Sequence, residues 1–195
     1  MAAIVDDVAR VLDEVRRPGD FYAAGTVPLP APGLEVDGVG PVALPLLPAQ
    51  VERLAAVAER ATFGRGPETL VDTTVRRTWQ VDAARLRFTG RTWAGTLAGI
   101  LARAAEGLGV EGPVEAELYK LLLYDAGSFF LGHRDTEKCH GMFATLVVAL
   151  PSLSAGGALA VRHKDREVRL DLHAAIPRRR PSPPSMPTVR TRCCR

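Results

Sequence analysis

An imidazole and a carboxylate two residues apart, His133 and Asp135, stand at the end of the apolar run SFFLG. On a strand, residues i and i+2 point to the same face, so the two side chains converge. Such a pair is two thirds of the two-histidine, one-carboxylate facial triad, which holds Fe(II) on one side and leaves positions open for a chelating cosubstrate and dioxygen. H-x-D alone is weak evidence, because a surface turn with a salt-bridging pair contains the same residues. Other chemistry finds less support. Cys139 stands beside His140, but no second Cys/His pair lies at zinc-ligand spacing. No nucleophile and base are arranged for hydrolysis, and FGRGPET lacks the Gly-Lys-Ser/Thr element of a phosphate-cradling loop. Glu137 and Lys138 read as a solvated pair. Arg76, Arg77 and Trp79 either face a substrate or form an exposed strand with one packed Trp.

The elements that must position the pair fall into two groups. Ile4, Val5, Val8, Val11, Leu12 and Val15 recur at helical spacing until Pro18-Gly19, so the chain opens with an amphipathic helix. Residues 25–48 are rich in Pro and Gly, and Pro48 suits the first turn of a helix reaching about Arg60. Another helix is expected over Trp93 to Leu108, with one or two strands between the two. From Glu115 onward come closely spaced strand candidates, ELYKLLLY, SFFLGHRD, MFATLVVALP, GALAVRH and REVRLDL, separated by short turns. That pattern indicates an antiparallel sandwich or barrel rather than alternating strand and helix units.

In this setting the motifs carry a resemblance. LYKLLLYDAGSFFLGHRDTEK, then GMFATLVVALPS, then GGALAVRH, resembles the Fe(II)/2-oxoglutarate-dependent oxygenases of the prolyl 4-hydroxylase-like family. In that family a strand carrying a Tyr leads through a Gly turn and an aromatic into H-x-D, and Tyr124, Gly127, Phe130, His133 and Asp135 follow that order. The resemblance spans residues 41–172 and is most specific over 118–163. It implies an α+β protein: N-terminal helices followed by a double-stranded β-helix (jelly-roll) core, incomplete at the C-terminus. The expected divisions are a helical and mixed support region over 1–114, a partial core over 115–172 and an aberrant, disordered tail over 173–195. His133 and Asp135 would ligate iron, while Tyr124 and, more weakly, Thr145 would hydrogen-bond 2-oxoglutarate. Fe(II), 2-oxoglutarate and ascorbate are the implied cofactors. The implied partners are dioxygen and a small-molecule or peptide substrate that is hydroxylated at a C–H bond.

The chain departs from that pattern in its last part. The family needs a second histidine on a later strand and a Lys or Arg beyond it, and neither stands in a recognisable context. Of the remaining histidines, His140 falls in a turn, His173 begins the tail, and His163 is the least improbable substitute ligand. LHAAIPRRRPSPPSMPTVRTRCCR has five prolines in 24 residues, no acid and no apolar period, so it is not expected to continue a sheet. Read one base earlier, the codons of residues 182–195 permit Ala-Ala-Phe-Tyr-Ala-Asp-Cys-Ala-His-Glu-Val-Leu-Pro, which resembles the missing second-histidine strand. Its histidine codon straddles Arg190 and Thr191. A frameshift near residues 172–181 would account for both the lost strand pattern and Cys193-Cys194. Two ligands hold iron poorly, so impaired turnover is expected of the chain as it stands. The alternative is a non-catalytic jelly-roll binding module using the same pocket.

Composition bounds the remaining choices. The 195 residues are 47% hydrophobic and 24% charged, which excludes disorder throughout and suits one compact domain. The net charge of +3 comes from the tail: residues 172–195 hold six arginines, and the preceding 171 residues hold 19 Lys and Arg against 22 Asp and Glu. The body is mildly acidic, so no nucleic-acid partner is expected. No uncharged apolar run of about 18 residues occurs and no signal peptide is legible, so no membrane partner and a cytoplasmic location are expected. Three cysteines, two of them adjacent near the end, do not make a disulfide framework.

Overall fold

The computed structural model describes residues 19–28, 30–65, 68–137, 139–152, 156–172 and 186–194. Among these, two α-helices and small antiparallel sheets form a mixed α+β architecture. The opening helix expected over residues 4–15 lies outside the described residues, as does His173.

Helix α1 covers Pro48–Val57 with Pro at its first turn, and Leu54 is its buried residue. It stops short of Arg60 because Ala58 turns extended and Glu59–Arg60 becomes strand β3, paired with Gln80 and Trp79. The Arg60 guanidinium then lies 3.7 Å from the centre of the Trp79 ring. Helix α2 spans Trp93–Leu108, as its spacing predicts, and ends at Gly109 in the left-handed region at φ 65°, where glycine carries no Cβ penalty. Its half-buried residues Trp93, Thr96, Leu97, Ile100, Leu101, Ala104, Ala105 and Leu108 form one stripe of helical period.

The first sheet orders β2 (Gly40–Pro41), β1 (Leu34–Val36) and β8 (Leu86–Phe88). Strand β4 (Phe63–Arg65) pairs antiparallel with β5 (Glu68–Leu70), and β6 (Arg76–Arg77) pairs with β10 (Phe129–Phe130). The largest sheet runs β11 (Met142–Ala149), β14 (Met186–Cys194), β9 (Glu115–Tyr124), β7 (Trp79–Asp82) and β3. It joins strands from either side of residue 114. A last hairpin, β12 (Leu159–His163) and β13 (Arg166–Leu170), closes through Lys164 at φ 51°. A two-residue hairpin turn demands such positive φ values, and here a lysine adopts one.

The core lies against one face of the five-stranded sheet. Leu121 and Leu123 of β9 and Val81 of β7 pack with Leu34, Val36, Leu54, Leu86 and Leu150. Leu118 joins the same side because the ladder shifts there: Arg190 pairs with Lys120, but Thr191 pairs with Leu118. Tyr119 is thus the extra residue of a bulge, which re-aims its neighbour. The opposite face carries Leu122, 2% exposed, and Lys120, whose ammonium donates to Gln80 Oε1 at 2.8 Å.

The expected disorder of the tail is not what residues 186–194 show. Met186–Cys194 runs antiparallel to β9 on one side and to β11 on the other. Thr188, Val189 and Thr191 favour extended backbone. Both neighbours offer ladder edges whose N–H and C=O groups require partners, and that demand outweighs the weak local signal. Pro187 sits next to the strand's first residue, near where a missing donor is tolerated.

Candidate functional site

The pair foreseen in the sequence is brought together, by a different backbone. Strand β10 ends at Phe130, and residues 131–137 are irregular, so strand alternation is not what aligns His133 with Asp135. The last ladder-like bond is Leu131 N–H to Val75 C=O, at 3.0 Å. Beyond it, His133 Nε2 lies 3.3 Å from Asp135 Oδ1, and His133 Nδ1 lies 3.0 Å from the Leu131 carbonyl oxygen. Both side chains are about one third exposed.

The carbonyl can only accept, so Nδ1 carries the proton in that contact. In the neutral ring Nε2 then presents a lone pair to a carboxylate oxygen. His133 Nε2 and Asp135 Oδ1 are the two atoms of the pair that could hold a metal ion between them.

Thr145, in the middle of β11, orients the carboxylate. Its hydroxyl donates to Asp135 Oδ2 at 2.7 Å, leaving Oδ1 turned to the imidazole. Val148 of the same strand packs against the core. Strand alternation therefore puts Thr145 on the face away from the core. The bond assigns Thr145 to the carboxylate, a contact that no spacing rule in the sequence signals. Asp135 and Thr145 line an open cavity of about 290 Å³ with Glu137, Met142, Phe143 and Ala144. That is near the lower end of the ~300–1,000 Å³ typical of ligand pockets. Across the sheet, Arg192 is the register partner of Thr145.

The other sequence candidates are placed apart. Tyr124 is half-buried at the end of β9, and among the described residues it shares no hydrogen bond or ring contact with His133, Asp135 or Thr145. His163, the substitute ligand considered above, ends β12 and stacks on Phe21 with ring centres 5.4 Å apart. His140 is exposed in a turn, and Cys139 is half-buried. Among the described residues no group of three or more His, Cys, Asp or Glu could hold a metal ion. Arg76, read from the sequence as substrate-facing or exposed, is 3% exposed and belongs to the interior.

A second polar cluster adjoins the site's supporting strands. Asp125 Oδ2 accepts from Trp79 Nε1 at 3.2 Å, and Asp125 Oδ1 accepts from the Ser128 hydroxyl at 2.6 Å. Burial pushes the Asp125 carboxyl up, but these two hydrogen bonds with the charges of Arg77 and Arg60 outweigh it and hold the group below its ordinary value. The bonds close the turn between β9 and β10 that delivers the chain to His133.

Among known proteins, no family model matches the chain, and neither a curated protein nor a solved structure does. No helix among the described residues is long and apolar enough to cross a membrane.

Proposed function

We propose that the chain is an Fe(II)/2-oxoglutarate-dependent oxygenase of the prolyl 4-hydroxylase-like kind, with a site impaired in this sequence. One observation carries the reading: Nε2 of His133 and Oδ1 of Asp135 face each other at 3.3 Å, with the far atom of each side chain held by its own partner. Imidazole and carboxylate together suit a divalent first-row metal. When bound, iron with 2-oxoglutarate and dioxygen supplies the oxidant for hydroxylating a C–H bond, the keto acid leaving as succinate and carbon dioxide. The chain's own residues hold and orient. His133 and Asp135 provide two ligands, and Thr145 fixes which carboxylate oxygen faces the metal. The cavity beside Asp135 is open to a small substrate or a peptide side chain. The finer fold belongs to the same proposal: a jelly roll in which the five-stranded sheet is one wall and β12–β13 part of the other.

The absence of a third ligand among the described residues favours a second reading, a jelly-roll module that binds without turnover. Both readings are decided by one assay on two proteins, the chain as given and a version translated one base earlier from about residue 172. Succinate formation dependent on Fe(II) and 2-oxoglutarate, strong in the second protein and weak in the first, is the expected result. No succinate from either, with the second protein folded, leaves the binding module. Resequencing the 3′ end of the coding region precedes the assay.

A further inference from the structure

His133 sits in a segment with no ladder partner, yet its ring is not left to rotate. The imidazole stacks on Phe130 with ring centres 3.6 Å apart and planes at 24°. Phe130 is anchored in turn. It is the register partner of Arg76 in the β6–β10 pair, and the Arg76 guanidinium lies 4.3 Å from the centre of its ring. Arg76 is 3% exposed, and its Nη1 donates to the Thr62 carbonyl at 2.7 Å, which ties the stack to the segment following β3. The order is therefore Thr62, Arg76, Phe130, His133, running from a half-buried residue's backbone oxygen to a ligand candidate.

We infer that Phe130, held by the buried Arg76 guanidinium, is the platform that positions the His133 imidazole. Two restraints act on the ring: the stack sets its plane and the Leu131 carbonyl holds Nδ1, which leaves Nε2 facing Asp135. A cation over an aromatic face is attracted by the ring's quadrupole, so Arg76 fixes Phe130 where shape alone permits sliding. Arg76 and Phe130 are positioning residues, since neither touches the metal position. Partners of a ligand's far side that set its orientation typically change metal affinity 10–100-fold when removed. The consequence for metal binding rests on the function proposed above, whereas the stack itself does not.

The test uses the full chain with Co(II) as probe, and imidazole proton NMR without metal. A ring stacked at this distance shifts the His133 signals upfield, and His133→Ala identifies them among the four histidines. Phe130→Leu, of similar bulk, is expected to abolish that shift and weaken Co(II) binding about tenfold, with melting nearly unchanged. Phe130→Tyr, which keeps the ring, is expected to retain both properties. Arg76→Met is expected to reduce the shift and the affinity in the same direction. Should Arg76→Met fail to fold, the Phe130 pair decides the matter. Wild-type His133 signals at ordinary positions, or Phe130→Leu leaving shift and affinity unmoved, would overturn the inference. If His133→Ala leaves Co(II) affinity unchanged while the upfield shift is present, the metal reading fails and the platform stands.

Discussion

Two side chains carry the candidate site, and each answers to its own partners. His133 depends on the Leu131 carbonyl and the Phe130 ring, whereas Asp135 depends on the Thr145 hydroxyl. Replacing Thr145 by Val removes that donor while keeping the β-branched shape suited to a strand. Expected are a roughly tenfold loss of Fe(II) or Co(II) affinity by calorimetry and a melting temperature within a few degrees of wild type. An unchanged affinity would mean that the hydroxyl does not orient the carboxylate. Asp125 supports the site from the preceding turn, and its chemistry gives a pH dependence. Its folded-state value is held below the ordinary one, so its contribution to stability is fully present above the unfolded value near 3.9 and is lost as pH falls through the folded value. Wild-type protein should therefore lose more stability below about pH 4 than Asp125→Asn, read as the fall in the urea midpoint. Parallel acid profiles in the two proteins would contradict the assignment.

The five-stranded sheet is the element on which the site hangs, and β14 is its least obvious member. Strand β9 has the length and the apolar run of a strand buried on both faces: Leu121, Leu122 and Leu123 are each at most 2% exposed. A strand of that kind cannot be left with an open edge, and β14 covers one of its two sides while β7 covers the other. Val189 stands in the middle of β14, with Leu121 and Val148 as its register partners. Val189→Pro removes a ladder donor at a central position, which sheets do not tolerate. The expected outcome is loss of hydrogen-exchange protection across β14 and the facing amides of β9 and β11, with a rise in aggregation on gel filtration. Wild-type amides of residues 188–192 exchanging as fast as a free peptide would instead show that the strand does not form in solution.

For the molecule as a whole, the core lies against one face of the five-stranded sheet, and Thr145, which holds Asp135, stands on the other. Leu121, 1% exposed, lies where β9 meets both the core and the facing strands. Leu121→Ala should cost about 2–5 kcal/mol in urea unfolding through lost transfer and the cavity left behind. Loss of Co(II) binding should track the unfolding transition instead of preceding it. Metal binding lost well before global unfolding would mean that the loop around His133 opens on its own.

Much of this architecture is written in local periodicity. The stripe of Trp93, Leu97, Ile100, Leu101 and Leu108 announces α2, and the spacing of His133 and Asp135 marks the pair that the fold brings together. Alternation and turn residues likewise reveal β11 and the β12–β13 hairpin, because each reports on burial of its own element. Local pattern is silent where the decision belongs to partners distant in the chain. The tail reads as proline-rich and basic, yet residues 186–194 become a central strand because two long edges flank them. His133 and Asp135 meet off any strand, held by a ring, a buried guanidinium and a hydroxyl contributed by β10, β6 and β11. Such contacts exist only after the chain has closed long loops, so their energies depend on three-dimensional neighbours and leave no periodic trace in the residues that make them.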